Sequence, residues 1–390
     1  MKKYLPAFFL PLGCIGITSG FQLISVIIAL GNYFKYNIKY NVKEFMNNKY
    51  VRISFLLMCL WAFSISLSDF LFYKEFVHIK EGWNYFQRFF PFIIIGLIFV
   101  NDKRFFKYFI YGLLLSLIII NSNVFYNFYV QGHWRPSTMF GNPNKLGGFL
   151  ILVLPFIINS VFYFEKILVK YLIGSICFFT ILSLIISGSR GAMLGIIVGY
   201  FILLIFILLK KYEMKKILCL TSLLFVSFLV LIFIINQYFP YMVHRNYDME
   251  RIYLWQAAVQ MFKDNILLGV GAGNFNYNYV NYYMNPLATN IHLTSPHNIF
   301  LHYFSQRGII VGIPFVLLFL YQIYSLTKNL FIQNGNINCF VAAGFVSVLG
   351  MGVHGLFDTQ ITMRDYALMY WLLYGFSCCN ISFCKKYKIK

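Results

Sequence analysis

The sequence predicts an all-α polytopic membrane protein, and three observations support that prediction. Of the 390 residues, 60% are hydrophobic. Only 11% are charged, whereas about a quarter of the residues are charged in a typical soluble domain. Several windows of about 20 residues contain no charge, which is typical of transmembrane helices. We therefore expect a single integral membrane domain that occupies residues 1–390.

The apolar segments follow one another along the chain with polar connections between them. Residues 4–34 contain no charge and are too long for one upright span, so a break within 13–20 would give two short helices. The other spans are expected at about 51–73, 84–100, 105–126, 146–164, 167–187, 191–209, 216–238, 309–327, 337–357 and 366–384. The total is about 11 transmembrane helices, or about 12 if the first segment is a hairpin.

Lysine is concentrated in alternate connections, and this pattern predicts the orientation of the chain. If the tail 385–390 is cytoplasmic, alternation places the Lys-rich segments 35–52, 102–107 and 210–216 on the same side. Cytoplasmic loops carry an excess of Lys and Arg, so we expect both termini in the cytoplasm. The same bias accounts for the net charge of +20 without nucleic-acid binding.

One long polar segment, 238–308, interrupts the apolar pattern and divides the domain into three parts. The N-terminal helices occupy 1–237, the segment 238–308 forms a large extracytoplasmic loop, and the C-terminal helices occupy 309–390. Within the loop, 248–263 has apolar residues at helical spacing. That spacing predicts an amphipathic helix that lies on the membrane or on the helix bundle.

Arginine is distributed against the lysine bias. Of the nine arginines, only Arg52 and Arg104 fall on the predicted inner side. Seven fall on the outer side, namely Arg88, Arg135, Arg190, Arg245, Arg251, Arg307 and Arg364. A guanidinium group presents a planar fork of donors that suits phosphate and carboxylate. We therefore expect the outer face to bind an anion.

Arg190 and Arg135 lie in connections that lead into predicted helices, where free backbone amides favour an anion. Arg190 lies in a very short connection between two spans, and the alternative is a side chain that snorkels to the membrane boundary. Arg135 precedes the turn sequence Gly141-Asn142-Pro143-Asn144. Its alternative is an ordinary turn with an interfacial arginine.

The long loop contributes two further candidates. Arg251 lies at the start of the predicted amphipathic helix, where it either reaches a phosphate or is a solvated charge. His297 lies between Pro296 and Asn298, shortly before the next span. Histidine is the side chain best suited to accept a proton near neutral pH; a histidine at the membrane interface is the simpler alternative.

His354 and Asp358 are spaced i, i+4 near the outer end of a predicted span. The spacing predicts a pair on one helix face, which either orients a catalytic group or makes a structural hydrogen bond. No His/His/carboxylate set has metal-ligand spacing, so we expect no bound metal and no other cofactor. The eight cysteines lie in apolar stretches without a CxxC motif, and we expect no disulfide framework.

Taken in order, these motifs resemble the O-antigen ligase and O-antigen (Wzy-type) polymerase superfamily of bacterial envelope enzymes. The resemblance extends over about 130–360, and the first 125 residues match only as apolar spans. The matching elements are Arg135 with Gly141-Asn-Pro-Asn, Ser189-Arg-Gly191, Arg251 with Trp255, Gly269-Val-Gly-Ala-Gly273-Asn-Phe275, His297-Asn298 with Gly308, and His354 with Asp358.

The resemblance implies a GT-C-like, metal-independent glycosyltransferase of the bacterial plasma (inner) membrane, with its active site on the periplasmic face. The donor would be an undecaprenyl-diphosphate-linked oligosaccharide. Arg190 and Arg251 would hold the diphosphate with help from Arg135, and His297 together with Arg190 would form the catalytic set. The supporting residues would be Asn298, Asn142, Asn144, His354 and Asp358.

The resemblance leaves the acceptor open. A polymerase joins the glycan to another lipid-linked repeat unit, and we favour this function because no added outer domain for a protein acceptor is evident. A ligase joins the glycan to lipid A-core or, in relatives, to a protein. A flippase or exporter of lipid-linked sugar is the alternative from another class, but it would need ionisable groups near mid-membrane. Membrane lipid and a chain-length regulator are further candidate partners.

Overall fold

The computed structural model describes residues 1–15, 20–36, 40–136, 138–213, 248–332 and 335–387. These residues are predominantly helical, and no β-strand occurs among them. The predicted all-α fold class is therefore confirmed.

The helices of the first half end before the long loop. They are α1 (Leu5–Leu12), α2 (Gly20–Tyr36), α3 (Val42–Asn47), α4 (Lys49–Tyr73), α5 (Lys80–Gln87), α6 (Phe90–Leu97), α7 (Lys103–Phe125), α8 (Pro143–Ser160), α9 (Ile167–Ser187) and α10 (Arg190–Lys211). The helices of the second half are α11 (Asp248–Asp264), α12 (Phe275–Asn278), α13 (Ile299–Lys328), α14 (Cys339–Gly355) and α15 (Arg364–Tyr387).

Seven of the described helices are long and apolar enough to cross a membrane, namely α4, α7, α8, α9, α10, α13 and α15. Helix α14 is also apolar but has only 17 residues. Together with the polar connections between them, these helices define a polytopic membrane protein.

Two of the predicted apolar segments each form two helices, and a third lies outside the described residues. The first apolar segment forms two helices, α1 and α2, as the expected break near Gly13 requires. The segment predicted as one span at 84–100 is instead α5 followed by α6. Its break is explained by Pro91 at the start of α6, since proline has no backbone N–H and favours the first helical turn. The predicted span 216–238 lies outside the described residues.

The centre of the bundle is formed by α8, α14 and α15. In the most apolar part of α15, 89% of the residues are buried inside the protein, against 28% for α10 at the periphery. Glycine allows α10 to approach α14 closely, because a Cβ on Gly195 would lie 2.7 Å from the carbonyl oxygen of Gly350. This contact holds α10 directly against α14.

A helix is confirmed at the predicted place as α11, and it lies on the helix bundle. The predicted apolar face, which included Ile252 and Val259, is wrong, because both of these side chains are exposed. The buried face of α11 contains Leu254, Ala258 and Met261, which join Phe275 and Tyr279 in a separate apolar cluster. This cluster packs the described part of the outer loop against α13. The described part of the loop is therefore a folded layer on one end of the bundle.

The glycine turn at 269–273 and a break in α13 at Gly308 connect this layer to the bundle. Gly308 has φ 62° and ψ −161° inside α13, which interrupts the helix. Val270 N–H donates to the Ser305 carbonyl over 2.9 Å, and Ile309 N–H donates to the Ile266 carbonyl over 2.9 Å. A Cβ on Gly308 would lie 2.1 Å from the Leu267 oxygen. Two backbone segments are thus in direct contact at this junction.

Candidate functional site

A cleft at one end of the bundle brings together many of the residues singled out in the sequence. It encloses about 270 Å³ of atom-free space, part of it open to solvent. Its walls are formed by Asn144, Ser189, Arg190, Gly191, Arg251, His354, Phe357 and Asp358.

Three helices begin at this cleft. The side chain of Asn142 caps α8 by accepting from the Asn144 N–H over 2.7 Å. Helix α10 begins at Arg190, and α11 begins at Asp248. The start of a helix carries partial positive charge on its unsatisfied N–H groups, so the starts of α8 and α10 favour an anion in the cleft.

The connection between α9 and α10 explains how Arg190 reaches its position. Gly188 ends α9 with a left-handed conformation (φ 60°), which glycine adopts without penalty. Ser189 is the N-cap of α10 and is 2% exposed. It packs on Gly147 of α8, where a Cβ would lie 2.5 Å from the Ser189 Cβ. The tight turn therefore places Arg190 at the first position of α10, beside the start of α8.

Arg135 lies beside the same cleft. Its Nε donates to the Ser187 carbonyl over 3.1 Å, and its Nη2 donates to Asn144 Oδ1 over 3.3 Å. Burial lowers the pKa of Arg135, and the positive charges of Arg190 and Arg251 lower it further. These guanidinium groups therefore repel one another, and an anion bound between them would relieve that repulsion.

Arg190 and Arg251 differ in their partners. Arg190 forms a bidentate ion pair with Asp248, in which Nη1 donates to Oδ2 over 3.1 Å and Nη2 contacts Oδ1. Arg251 lies three residues after Asp248, about one turn along α11. Among the described residues, Arg251 has no ion-pair or hydrogen-bond partner, although it lines the cleft. Its charge is thus available to a ligand.

His297 lies next to Asp358. Its Nδ1 is 3.6 Å from Asp358 Oδ1, and the side chain is 34% exposed. The backbone of His297 is left-handed (φ 48°), which is uncommon for residues other than glycine. Directly after it, the Asn298 side chain caps α13 by accepting from the Phe300 N–H over 3.0 Å and the Leu301 N–H over 3.1 Å. The capped start of α13 therefore fixes the chain on one side of His297.

Asp358 is held in place by its own neighbours. Its Oδ1 accepts from the Thr359 N–H over 2.7 Å, and its Oδ2 accepts from Gln360 Nε2 over 2.8 Å. Burial raises the pKa of the Asp358 carboxyl, but the opposing effects of His297, His354 and the Thr359 N–H are together larger, so the pKa lies below its usual value. Asp358 is therefore a carboxylate at neutral pH.

The expectation that His354 and Asp358 share one helix face is wrong. Helix α14 ends at Gly355, so Asp358 lies in the turn that follows and is paired with His297. His354 is buried between two glycines, since a Cβ on Gly148 would lie 2.9 Å from its Cε1 and a Cβ on Gly191 would lie 3.1 Å from its Cδ2. Its imidazole forms the floor of the cleft between α8 and α10.

Two of the arginines that the sequence predicts on the outer side, Arg88 and Arg307, bind protein groups away from the cleft. Arg88 donates to the Thr362 carbonyl over 2.6 Å and lies over the Tyr85 ring, 4.0 Å from its centroid. Arg307 is buried and makes a bidentate ion pair with Asp69. These side chains are structural, because their donors are directed to protein groups.

The other outer arginines do not all gather at the cleft. Arg364 is exposed at the first position of α15, and Arg245 lies outside the described residues. Among the described outer arginines, only Arg135, Arg190 and Arg251 come together here.

Sequence reasoning missed two features of the cleft. Asp248 was not identified as the partner of Arg190, although a carboxylate in the first turn of a predicted helix is a recognisable signal. The requirement for glycine at 148 could not be recognised in the sequence. Only glycine leaves room there for the His354 ring, and His354 is more than 200 residues away along the chain. Both features depend on the packing of distant segments.

The described helices and their connections define a polytopic membrane protein with a cleft that is lined by Arg190 and Arg251. Residues 175–316 match the family model described as O-antigen ligase. This match supports an assignment to the O-antigen ligase and polymerase superfamily. Members of the matched family are glycosyltransferase-like enzymes. No curated protein matches the chain. Arg190, Arg251 and His297 fall inside the matched range, whereas Arg135 and Asp358 fall outside it.

Proposed function

We propose that the protein is a polysaccharide polymerase of the bacterial inner membrane. It transfers an undecaprenyl-diphosphate-linked glycan to a sugar hydroxyl of another lipid-linked repeat unit at the outer face. Both termini lie in the cytoplasm, and the cleft opens to the periplasm. The observation that carries the proposal is the meeting of three guanidinium groups and the N-termini of α8 and α10 beside the pair of His297 and Asp358.

The cationic groups bind the donor's diphosphate. Arg251 lines the cleft with its charge uncompensated among the described residues. The pKa of Arg135 is lowered by burial and by the charges of Arg190 and Arg251. Fixed guanidinium groups stabilise the negative charge that develops on a leaving diphosphate. Because these side chains and the helix ends supply that charge, the transfer proceeds without a metal ion.

His297 acts as the general base. The Nδ1 of His297 lies 3.6 Å from Asp358 Oδ1, and with a proton on Nδ1 the lone pair of Nε2 is left to accept a proton. The acceptor oxygen attacks the anomeric carbon and forms the new glycosidic bond. The bond from that carbon to the diphosphate oxygen breaks with its electron pair on the diphosphate, and the hydroxyl proton passes to Nε2. A direct displacement of this kind inverts the anomeric carbon.

The same residues would serve a ligase, and the acceptor separates the two functions. The described outer segment 248–298 is a folded layer packed on α13, and we infer that it receives a glycan chain as acceptor. A flippase is less well supported. It needs cationic groups along a path through the membrane, whereas Arg135, Arg190 and Arg251 lie at helix ends on one side.

The test is a gel of surface glycolipid from a deletion strain that is complemented with wild type, His297→Ala or the matched control His292→Ala. His292 is an exposed histidine of the same loop. We expect the wild type and the His292→Ala variant to restore a ladder of repeat units. The His297→Ala variant should give core plus one repeat. Loss of all glycan-bearing bands with accumulated lipid-linked polymer would identify a ligase instead. Full rescue by His297→Ala would exclude the proposed base.

A further inference from the structure

The ion pair between Arg190 and Asp248 joins two helix N-termini at the edge of the cleft. Arg190 is the first residue of α10, and Asp248 is the first residue of α11. The two side chains are 32% and 41% exposed, and they make two contacts through the fork of the guanidinium group. Since solvent reaches both partners, this pair is one that a competing anion can open.

In the ion pair, Asp248 contacts the Nη1 and Nη2 donors of Arg190, which a ligand in the cleft would also use. A guanidinium group carries five N–H donors, and each pair of neighbouring donors forms a bidentate contact with one oxyanion at a time. Arg190 lines the cleft, and Asp248 already holds two of its nitrogens. A diphosphate that engages the same nitrogens must therefore displace the carboxylate.

Asp248 also sits on the same helix as the second arginine of the cleft. Arg251 lies three residues further along α11, and it has no ion-pair partner among the described residues. The pair of Arg190 with Asp248 therefore holds the first turn of α11 beside α10. An anion that opens this pair can remain bound between Arg190 and Arg251.

We propose that Asp248 is an internal competitor for the diphosphate site. The donor displaces it from Arg190 on binding, and after transfer it returns to Arg190 and promotes release of the polyprenyl diphosphate product. The inference rests on the proposed function, because it deepens the role of the same cleft.

The charges explain why an enzyme of this kind gains from such a competitor. The donor carries its glycan on the terminal phosphate, whereas the product has that phosphate free and carries more negative charge. A purely cationic cleft would therefore retain the product more strongly than it binds the donor. A carboxylate that competes for Arg190 weakens the binding of both, and it thereby limits inhibition by the product.

The experiment measures binding of inorganic pyrophosphate to the purified full-length protein in detergent. Asp248→Asn removes the charge and keeps the shape of the side chain. Asp264→Asn removes the same charge from the other end of α11 and is the matched control. We expect Asp248→Asn to bind pyrophosphate about 3- to 10-fold more tightly than the wild type. Asp264→Asn should leave binding unchanged, and Arg190→Ala should weaken it in either background.

Opposite outcomes overturn the inference. Weaker binding by Asp248→Asn, with an unchanged melting temperature, would make Asp248 a residue that positions Arg190. Equal binding would show that the pair does not compete with the ligand. Both results leave the proposed function intact, provided that the wild type binds pyrophosphate through Arg190. If the wild type shows no binding that depends on Arg190, the proposed diphosphate site fails together with the inference.

A second readout uses turnover. Under the proposal, Asp248→Asn is more sensitive than the wild type to added undecaprenyl diphosphate, and its inhibition constant falls by the same factor as the pyrophosphate dissociation constant. An inhibition constant equal to that of the wild type would contradict the return of Asp248 after transfer. If Asp248 had a purely structural role, Asp248→Asn would change the melting temperature but not the ratio of the variant and wild-type inhibition constants.

Discussion

Arg307 and Asp69 form a buried ion pair that links α13 to α4 across 238 residues of chain. Arg307 Nε donates to Asp69 Oδ1 over 2.8 Å, and Nη2 donates to Oδ2 over 3.0 Å. The Arg307 carbonyl accepts from Ser68 Oγ over 3.3 Å. Since Gly308 follows directly, these contacts hold α4 against the break in α13 on which the outer loop packs.

Removal of Asp69 should therefore destabilise the protein strongly. The Asp69→Ala variant leaves the buried charge of Arg307 uncompensated, and we expect a loss of about 3–5 kcal/mol in the free energy of unfolding. Denaturant unfolding of the purified protein in detergent measures the loss. The control is the double variant with Asp69→Leu and Arg307→Met, which should recover much of the stability because it buries no charge. Wild-type stability of Asp69→Ala would show that solvent reaches this pair.

The contact between the glycine turn and the break in α13 predicts unequal effects of alanine at two glycines. Gly308 and Gly273 both have positive φ, 62° and 82°. A Cβ on Gly308 would meet the Leu267 oxygen at 2.1 Å, whereas a Cβ on Gly273 would meet nothing within 4 Å. We expect Gly273→Ala to cost about 1–2 kcal/mol for its conformation alone. Gly308→Ala should cost considerably more, as measured by thermal unfolding. Equal losses would mean that the turn moves away without penalty.

The sequence was sufficient for those features of the fold that depend on local pattern. Apolar length predicted the membrane helices, and 3.6-residue spacing predicted α11 within one residue of its observed bounds. The split into α5 and α6 was missed because the segment is apolar on both sides of Pro91. Apolar length alone places the start of this span near residue 309. The helix begins earlier, at Ile299, because the side chain of Asn298 caps it.

The candidate site was predictable in its residue types and less so in its pairing. Arg135, Arg190 and Arg251 were indicated because they are arginines on a side where lysine is scarce. The same criterion also selected Arg88 and Arg307, which bind protein groups. Whether a guanidinium faces a carboxylate or an open cleft depends on tertiary contacts, and local sequence does not contain them.

Glu250 predicts a pH dependence of the outer layer. Its Oε1 accepts from the Thr289 N–H over 2.9 Å and from Thr289 Oγ1 over 2.8 Å. The backbone donor of Thr289 lowers the pKa of Glu250, and this outweighs the opposing effect of burial. A lowered pKa stabilises the fold fully above the unfolded value of about 4.3, and this stabilisation is lost as the pH falls through the lowered pKa.

The corresponding measurement compares the wild type with Glu250→Gln by unfolding at pH 6 and at pH 3. At pH 6 the variant should be less stable by about 1–3 kcal/mol, since the amide is a weaker acceptor than a carboxylate. The difference should shrink at pH 3. Glu81→Gln is the control, because Glu81 bonds only a neighbouring exposed asparagine, Asn84, in α5. A difference that grows towards pH 3 would reverse the predicted sign.

The pairing of His297 with Asp358 predicts how activity divides between the two residues. Asp358→Asn keeps the side-chain volume but removes the carboxylate that faces Nδ1 at 3.6 Å. We expect the turnover number to fall by about 10- to 100-fold, and His297→Ala should lose more because a general base contributes about 10²- to 10⁴-fold. Pyrophosphate binding should stay near the wild-type value in both variants, since the arginines are untouched. Asp365→Asn in the first turn of α15 is the matched control and should retain activity. If Asp358→Asn loses pyrophosphate binding and turnover in equal measure, Asp358 shapes the cleft and does not orient the base.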